Sequence, residues 1–195
     1  MSRVKEFDVG EACDGALTLF RRQGYEATSV SDLVTHLGVA KASLYATFGT
    51  KHDLYVTALK RYAERTDARV MAQLSEPGSG VAAVRRLFDG YTAEILGDDT
   101  RMGCFVVNAA IELLPHDPEV ARVVERSWDT LEVALTMALE HAKAQDELPA
   151  GSDPATLARF LLTVLQGLRV LGKGTDAASR VNAAVSQALR LLIRE

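Results

Sequence analysis

The segment 28–51 constrains the fold most, because its apolar pattern fits two short helices joined by a tight turn. It reads TSVSDLVTHLGVAKASLYATFGTK. The apolar residues that repeat at the spacing of one buried helix face are Val30, Leu33, Val34 and Leu37. Ser29 and Asp32 have the Ser-x-x-Asp form of a capping box, which marks a helix start. Gly38 marks its end, since glycine takes the left-handed conformation without steric cost.

A second helix is predicted to start near Lys41 and to expose a thin, polar face. Its inward residues are Ala40, Leu44 and Phe48. Its outward residues are Lys41, Ala42, Ser43, Tyr45 and Thr47. A cation, small side chains, hydroxyls and one aromatic ring fit a DNA major groove, where hydrogen bonds to base edges give specificity. We therefore predict that this face reads DNA.

A longer motif surrounds these two helices. Gly24, Tyr25 and Thr28 precede the run GVAKASLYATFGTKHDL, which covers residues 38–54. Within this run, residues 44–51 read Leu-Tyr-x-x-Phe-x-x-Lys. The motif resembles the helix-turn-helix of the TetR family of bacterial transcription regulators over about the first quarter of the chain. That resemblance implies a homodimer that places two recognition helices about one DNA turn (~34 Å) apart on a palindromic operator.

Two residues outside the recognition face are expected to hold DNA phosphates. Lys51 falls in the first turn of the predicted third helix of the motif, where its charge opposes the helix dipole. A phosphate would relieve this conflict, since helix N-termini bind anions. Thr28 is assigned the same role, and Tyr45 is expected to pack on the DNA backbone. The alternative for Lys51 is an ordinary surface lysine.

The composition is that of an ordinary globular protein. The chain has 195 residues, of which 48% are hydrophobic and 25% are charged. Its net charge of −4 gives no general attraction to nucleic acid, but residues 1–73 carry ten basic and nine acidic side chains. This part is near neutral and still able to present a local basic face. The sequence shows no signal-peptide core and no apolar run of ~20 residues, so we expect a cytoplasmic protein with no membrane partner.

The remaining sequence predicts helices throughout, and thus an all-α fold with two parts. We place a helix-turn-helix DNA-binding domain of three helices at 1–50, a connecting helix at 51–74, and a helical ligand-binding and dimerisation domain at 75–195. A cluster of turn residues at 75–80 marks the boundary. Asp117-Pro118 and Asp153-Pro154 are start signals for later helices, because they supply an N-cap and a first-turn proline.

The last two predicted helices suggest a dimer interface. The helix at about 154–171 is apolar on more than one side, so it must be covered on two faces. In a chain of this size we expect the second cover to be a partner subunit. Together with the helix at about 177–194, it predicts a four-helix interface in a homodimer.

No catalytic, cofactor or metal motif is found in the sequence. The four histidines are scattered without metal spacing, and no Cys-x-x-Cys, nucleophile elbow or glycine-rich phosphate loop occurs. The two cysteines, Cys13 and Cys104, lie far apart and suggest reduced thiols. We therefore predict that the protein is not an enzyme and needs no cofactor.

Cys104 is the one candidate for a reactive group. It falls at the predicted start of a helix, where thiolates are stabilised, and Gly103 leaves room for approach. Gly-Cys-Phe-Val-Val-Asn resembles the Gly-Cys-Leu-x-Val motif of TetR-type repressors of N-ethylmaleimide reductase, which respond to electrophiles and reactive chlorine through that cysteine. The resemblance also assigns Lys173 to the sensor, as an amine near the sulfur. The alternatives are an inert, packed cysteine and a solvated lysine.

An ordinary ligand pocket is an equally weighted alternative to cysteine sensing. Its apolar walls are expected to come from Phe88, Tyr91, Phe105, Trp128, Met137 and Phe160. The sequence thus predicts a dimeric repressor that a small molecule or an oxidant releases from its operator. A constitutive or architectural DNA-binding protein stays open as a further alternative. The sequence leaves open the operator, the regulated genes, the inducer and any activating role.

Overall fold

The described residues form nine helices and no strand, which confirms the predicted all-α fold. The structure is a computed structural model that describes residues 7–98 and 100–193. The helices are α1 (Val9–Gln23), α2 (Val30–Leu37), α3 (Lys41–Phe48), α4 (Lys51–Leu74), α5 (Gly80–Leu96), α6 (Phe105–Glu112), α7 (Pro118–Ala144), α8 (Pro154–Leu171) and α9 (Ala177–Arg190).

The helix starts follow the capping signals in the sequence. The side chain of Ser29 accepts a hydrogen bond from the backbone of Asp32, whose carboxylate accepts one from the backbone of Ser29. Asp117 and Asp153 cap α7 and α8, each with proline in the first turn. A second capping box, between Thr50 and Asp53, starts α4 and was missed in the sequence, although Thr-x-x-Asp is the same signal.

Two helix ends differ from the prediction. Helix α6 begins at Phe105, so Cys104 is its N-cap residue and has an extended backbone. Helix α9 ends at Arg190 and is followed by a short turn. The predicted end at Arg194 lies outside the described residues.

The buried apolar residues form two clusters along the length of α4 and α7. The first cluster joins α1–α3 and the start of α4 to α6 and the start of α7. The second joins the end of α4 to α5, the rest of α7, α8 and α9. Helix α6 therefore belongs to the core of the N-terminal helices, although the sequence places it beyond the boundary at residue 75. The division into 1–50, 51–74 and 75–195 stays a prediction.

Several large apolar side chains remain exposed on α7 and α8 and after α9. They are Val133 and Met137 on α7, Phe160, Val170 and Leu171 on α8, and Leu191 and Ile193 after α9. By length and composition α8 meets the requirement for a membrane span, with 28% of its 18 residues buried in this chain. A core helix of a helical protein has the same composition, and α8 packs against α7 and α9. Its outer apolar face is left without a cover in the single chain.

The shared core makes a prediction about α6. Phe105 is 1% exposed, and its ring centroid lies 5.1 Å from that of Tyr55 in α4. We expect Phe105→Ala to lower the free energy of unfolding by about 3–5 kcal/mol, because it leaves a cavity between the two helices. Urea denaturation followed by circular dichroism measures this.

A matched control lies on the same helix. Ile111 is 66% exposed, so Ile111→Ala is expected to change stability by less than about 0.5 kcal/mol. Equal losses in the free energy of unfolding for the two variants would contradict the packing of α6 on the N-terminal core.

Candidate nucleic-acid interface and sensor cavity

The outer face of α3 carries the side chains predicted to read DNA. Lys41, Ala42, Tyr45 and Thr47 are exposed, and Ser43 is half-buried. The Lys41 ammonium lies 5.8 Å from the centroid of the Tyr45 ring, so cation and ring share one surface. Leu44 holds the opposite face in the core at 4% exposure.

The inner face of α3 is narrower than predicted. Phe48 is half-buried, as expected, but Ala40 is exposed. Ala40 is the N-cap residue of α3, and its extended backbone turns it out of the apolar face. The exposed surface therefore includes the turn before the helix.

Lys51 is bound within the protein, at the corner where α1, α2 and α4 meet. Its Nζ donates hydrogen bonds to the carbonyl oxygens of Tyr25, at 2.9 Å, and Thr28, at 3.1 Å. The same ammonium lies 4.0 Å from the centroid of the Tyr25 ring. Two carbonyl oxygens and a ring face thus stabilise the Lys51 ammonium, whose charge opposes the dipole of α4. The predicted phosphate contact is not needed for this purpose.

Thr28 is placed differently from the prediction. Its side chain is 0% exposed, and its hydroxyl donates a hydrogen bond of 2.6 Å to the carbonyl oxygen of Gly24. A buried, satisfied hydroxyl does not reach a phosphate, so the expected contact from this side chain is wrong for this conformation. The sequence alone does not distinguish these two roles of the Thr28 side chain, because threonine occurs both at phosphate contacts and in closed turns.

Glu112, the last residue of α6, joins the same corner to the sensor half. Its carboxylate oxygens accept hydrogen bonds of 2.9 Å from the backbone amides of Tyr25 and Glu26. Gly24 is required here, because its φ is +86° and a Cβ atom would lie 3.0 Å from the Glu112 carboxylate. The other end of α6 is tied to α1, since Arg21 donates to the carbonyl of Gly103.

A cavity of about 80 Å³ opens at the N-terminal end of α6. Its lining comes from α1, α5, the loop before α6, and the end of α8. The residues are Arg21, Tyr91, Glu94, Ile95, Asp98, Arg101, Gly103, Cys104, Arg169, Gly172 and Lys173. The structure thus brings the two predicted sensor residues, Cys104 and Lys173, to one cavity.

Lys173 lies against the loop that carries Cys104. Its Nζ donates a hydrogen bond of 2.5 Å to Oδ1 of Asn108 on α6. Gly103 has a φ of +66°, and a Cβ atom there would come within 2.7 Å of Cε of Lys173. Burial lowers the pKa of Lys173, helped by Arg21, while Cys104 and Asp98 act in the opposite direction.

Cys104 itself is 5% exposed and lines the cavity together with Tyr91 and Arg169. Burial raises the pKa of the neighbouring Tyr62, and the Cys104 side chain raises it further. Burial acts to lower the pKa of Arg169, but Cys104, Tyr91 and Tyr62 outweigh it and raise that pKa. The second cysteine, Cys13, is 3% exposed, and burial raises the pKa of its thiol. Cys104 lines the cavity, whereas Cys13 does not.

The predicted aromatic pocket does not form. Phe88 and Phe105 are buried in different cores, whereas Met137 is 63% exposed and Phe160 is 41% exposed. Trp128 packs against the first core. Tyr91 alone of the six lines the cavity beside Cys104. The prediction was wrong because it grouped large apolar residues without knowing which helix faces meet.

Comparisons with known proteins agree with this arrangement. The model of the bacterial regulatory proteins of the tetR family matches residues 13–58, and that of the tetracyclin repressor-like C-terminal domain matches residues 80–188. The uncharacterized HTH-type transcriptional regulator YezE of Bacillus subtilis is 40% identical over 193 residues, which are 98% of this chain and 100% of YezE. The chain belongs to the TetR family of transcriptional regulators.

Two further relatives support the same assignment. The HTH-type transcriptional repressor ComR of Escherichia coli is 33% identical, over 97% of this chain and 90% of ComR. A cysteine mutant of the TetR regulator CifR, complexed with 26-base-pair double-strand operator DNA, is 30% identical with a TM-score of 0.84, over 96% of this chain and 98% of that one. These relatives are regulators, which confirms that the chain is a DNA-binding regulator and not an enzyme.

The resemblance to the repressors of N-ethylmaleimide reductase has weaker support. The reduced form of Escherichia coli NemR has a TM-score of 0.83 over 93% of this chain and 97% of that one, at 18% identity. At that identity the likeness shows the TetR fold alone.

Among residues 7–98 and 100–193, no group of three His, Cys, Asp or Glu side chains is placed to hold a metal ion.

The buried hydroxyl of Thr28 generates a stability prediction. Thr28→Val keeps the shape of the side chain but leaves the Gly24 carbonyl without this donor, so we expect a loss of about 1–3 kcal/mol in the free energy of unfolding. Thr47→Val, on the exposed face of α3, is the matched control and should change stability by less than about 0.5 kcal/mol. Urea denaturation of both variants measures the difference, and an unchanged Thr28→Val protein would contradict it.

Proposed function

We propose that this TetR-family regulator is a cytoplasmic homodimeric repressor that an electrophile or oxidant releases from a palindromic operator by modifying Cys104. One observation carries this proposal: Cys104 and Lys173 line one cavity at the end of a helix whose two ends hold the N-terminal helices. A chemical change in the cavity thus has a direct route to the DNA-binding face.

The DNA contacts are assigned to α3. Lys41, Ala42, Ser43 and Thr47 would face base edges, and Tyr45 would pack on or bond to the backbone. Each good polar contact with a base is worth about 1–3 kcal/mol of discrimination. Lys51 would act by fixing the corner around Tyr25, and Thr28 by closing the turn before α2.

The dimer is assigned to α8 and α9. The exposed side chains of Phe160, Val170 and Leu171 give α8 an apolar outer face, and Leu191 and Ile193 extend it. Exposed apolar area of this extent in a helical protein favours association. A second copy related by a two-fold axis would cover it in a four-helix interface. CifR, a similar regulator, is complexed with operator DNA, which supports operator binding by this chain.

The chemistry at Cys104 is addition or oxidation at sulfur. With N-ethylmaleimide, the thiolate attacks one alkene carbon, the π electrons move to the neighbouring carbon, and that carbon takes a proton from water. With hypochlorous acid, chlorine passes to sulfur and hydroxide leaves. The neutral amine of Lys173 then displaces chloride, forms a sulfur–nitrogen bond and loses a proton. Sulfur is oxidised by the chlorine, which is reduced to chloride.

The mechanical link from this chemistry to DNA runs along α6. Modification at the N-cap of α6 would disturb the loop whose Gly103 carbonyl is bound by Arg21. At the other end, Glu112 holds the backbone of Tyr25 and Glu26. A shift of α6 would therefore move the N-terminal helices relative to α7 and change the distance between the two recognition helices of a dimer. Strong release requires that the modified protein prefer the non-binding state by a few kcal/mol.

Operator release tests the proposed sensor. Fluorescence anisotropy on duplex DNA from the region upstream of the gene should show binding by the wild-type protein and release after N-ethylmaleimide or hypochlorite. Cys104→Ser should bind the same DNA and hold it under both reagents, because serine is a far weaker nucleophile. Cys13→Ser is the matched control and should be released like the wild type.

Two results would count against this proposal. Release of Cys104→Ser together with the wild type would place the reactive group elsewhere. Binding without release of any of the three proteins would favour a constitutive DNA-binding protein.

The exposed face of α8 predicts the oligomeric state. Phe160→Glu puts a charge in the middle of the proposed interface, so we expect a monomer by light scattering after size exclusion and at least about tenfold weaker operator binding. Met71→Glu, at another partly exposed apolar residue on α4, should remain dimeric. A dimeric Phe160→Glu protein would move the interface away from α8.

A further inference from the structure

The cavity beside Cys104 contains buried polar groups that the proposed alkylation does not use. Arg169 lies near the end of α8 and is 9% exposed. Its guanidinium stacks 4.3 Å from the centroid of the Tyr91 ring, and its Nη1 donates to Oε1 of Gln166 at the long distance of 3.4 Å. Among the described residues it forms no ion pair. A buried cation without a carboxylate partner is costly, so its retention calls for an explanation.

Tyr91 presents a second unused group. Its side chain is 4% exposed, and its hydroxyl has no hydrogen-bond partner in the part of the chain that the structure describes. Tyrosine hydroxyls that are buried usually find a partner. Tyr91 and Arg169 line the same cavity from α5 and α8. Two buried donors therefore meet in one small space.

The charges around the cavity favour an anion. Four cationic side chains line it, against two acidic ones. Both acids have their own partners: Glu94 accepts from Arg69 at 3.1 Å, and Asp98 accepts from the hydroxyl of Thr100 and the amides of Thr100 and Gly103. The hydrogen bond from Thr100, with those from the two amides, lowers the pKa of Asp98. The remaining charge in the cavity is positive.

The size of the cavity limits the ligand. Its volume of about 80 Å³ is roughly half the ~150 Å³ of an engineered protein cavity that takes benzene. A molecule of three to five heavy atoms is therefore the appropriate size, which fits a short-chain carboxylate.

We propose that Arg169 and the Tyr91 hydroxyl form a carboxylate-binding subsite, and that the inducer class is a small α,β-unsaturated carboxylate. This rests on the proposed sensing by Cys104. The carboxylate accepts hydrogen bonds from the guanidinium and the hydroxyl, which holds the alkene beside the sulfur. The Cys104 thiolate adds to the β-carbon, the π electrons move to the α-carbon, and that carbon takes a proton from water. The product is a thioether, and no oxidant or reductant is consumed.

The test compares acrylate with its neutral isostere acrylamide. The rates of alkylation at Cys104 are measured by mass spectrometry, and the ratio of the two is divided by the same ratio for glutathione. This normalised preference removes the intrinsic difference in reactivity between the reagents. For the wild-type protein we expect a preference for acrylate of at least about tenfold, since hydrogen bonds to a charged group are the stronger ones.

Two variants assign the preference to the subsite. Arg169→Met removes the charge at similar length and should bring the preference to about one. Arg159→Met, on the same helix, removes an exposed arginine that pairs with Glu132 and should leave the preference unchanged. Tyr91→Phe keeps the ring under the guanidinium and removes only the hydroxyl. It should lower the preference several-fold without lowering the melting temperature, because the hydroxyl has no partner to lose.

The outcomes separate this inference from the proposed function. Propionate and propionamide, which do not alkylate, are titrated into Cys104→Ser by calorimetry. Propionate binding that Arg169→Met abolishes supports the subsite, even if operator release by N-ethylmaleimide fails. Release through Cys104 with no preference for acrylate, and no binding of propionate over propionamide, would leave the sensor in place and overturn the subsite. If Arg169→Met does not fold, an unchanged preference in Tyr91→Phe overturns it in the same way.

Discussion

The position of Tyr25 depends on two charged residues from distant parts of the chain, and the geometry of the DNA-binding half depends on Tyr25. Lys51 binds the Tyr25 carbonyl and stacks on its ring, while Glu112 accepts from its amide. Its ring also packs edge-on against Tyr55 at 4.9 Å between centroids. These contacts fix where α1 ends and α2 begins. Helix α3 is too short to be stable alone, so this packing sets its orientation.

Helix α6 contacts both halves of the molecule. It has only eight residues and is packed in the core of the N-terminal helices, yet its N-cap residue lines the sensor cavity. A short helix with polar contacts at both ends moves as a rigid body more readily than it bends. In the proposed mechanism, that property would connect a change at Cys104 to the spacing of the two recognition helices without a long chain of intermediate contacts.

The cavity brings a thiol and several cations together. In the proposed mechanism the thiol reacts, and the cations would select which electrophile reaches it. Arg169 is costly to bury, and its stacking on Tyr91 offsets only part of that cost. This cost is typical of a residue retained for a ligand and not for the stability of the fold. An arginine inside the apolar run of α8 was the signal in the sequence, and the predicted aromatic pocket did not include it.

The sequence by itself determined the elements of this protein. Periodicity and capping residues predicted the all-α fold and most helix bounds, because both depend on residues within one turn of each other. The motif around Leu44 and Tyr45 predicted the family for the same local reason. Tertiary structure alone decided which side chains meet. It buried Thr28, bound Lys51 inside the protein, dispersed the expected aromatic pocket and placed Tyr91 and Arg169 beside Cys104. Such contacts join residues far apart in the chain, and they follow from the packing angles of helices, which no local pattern encodes.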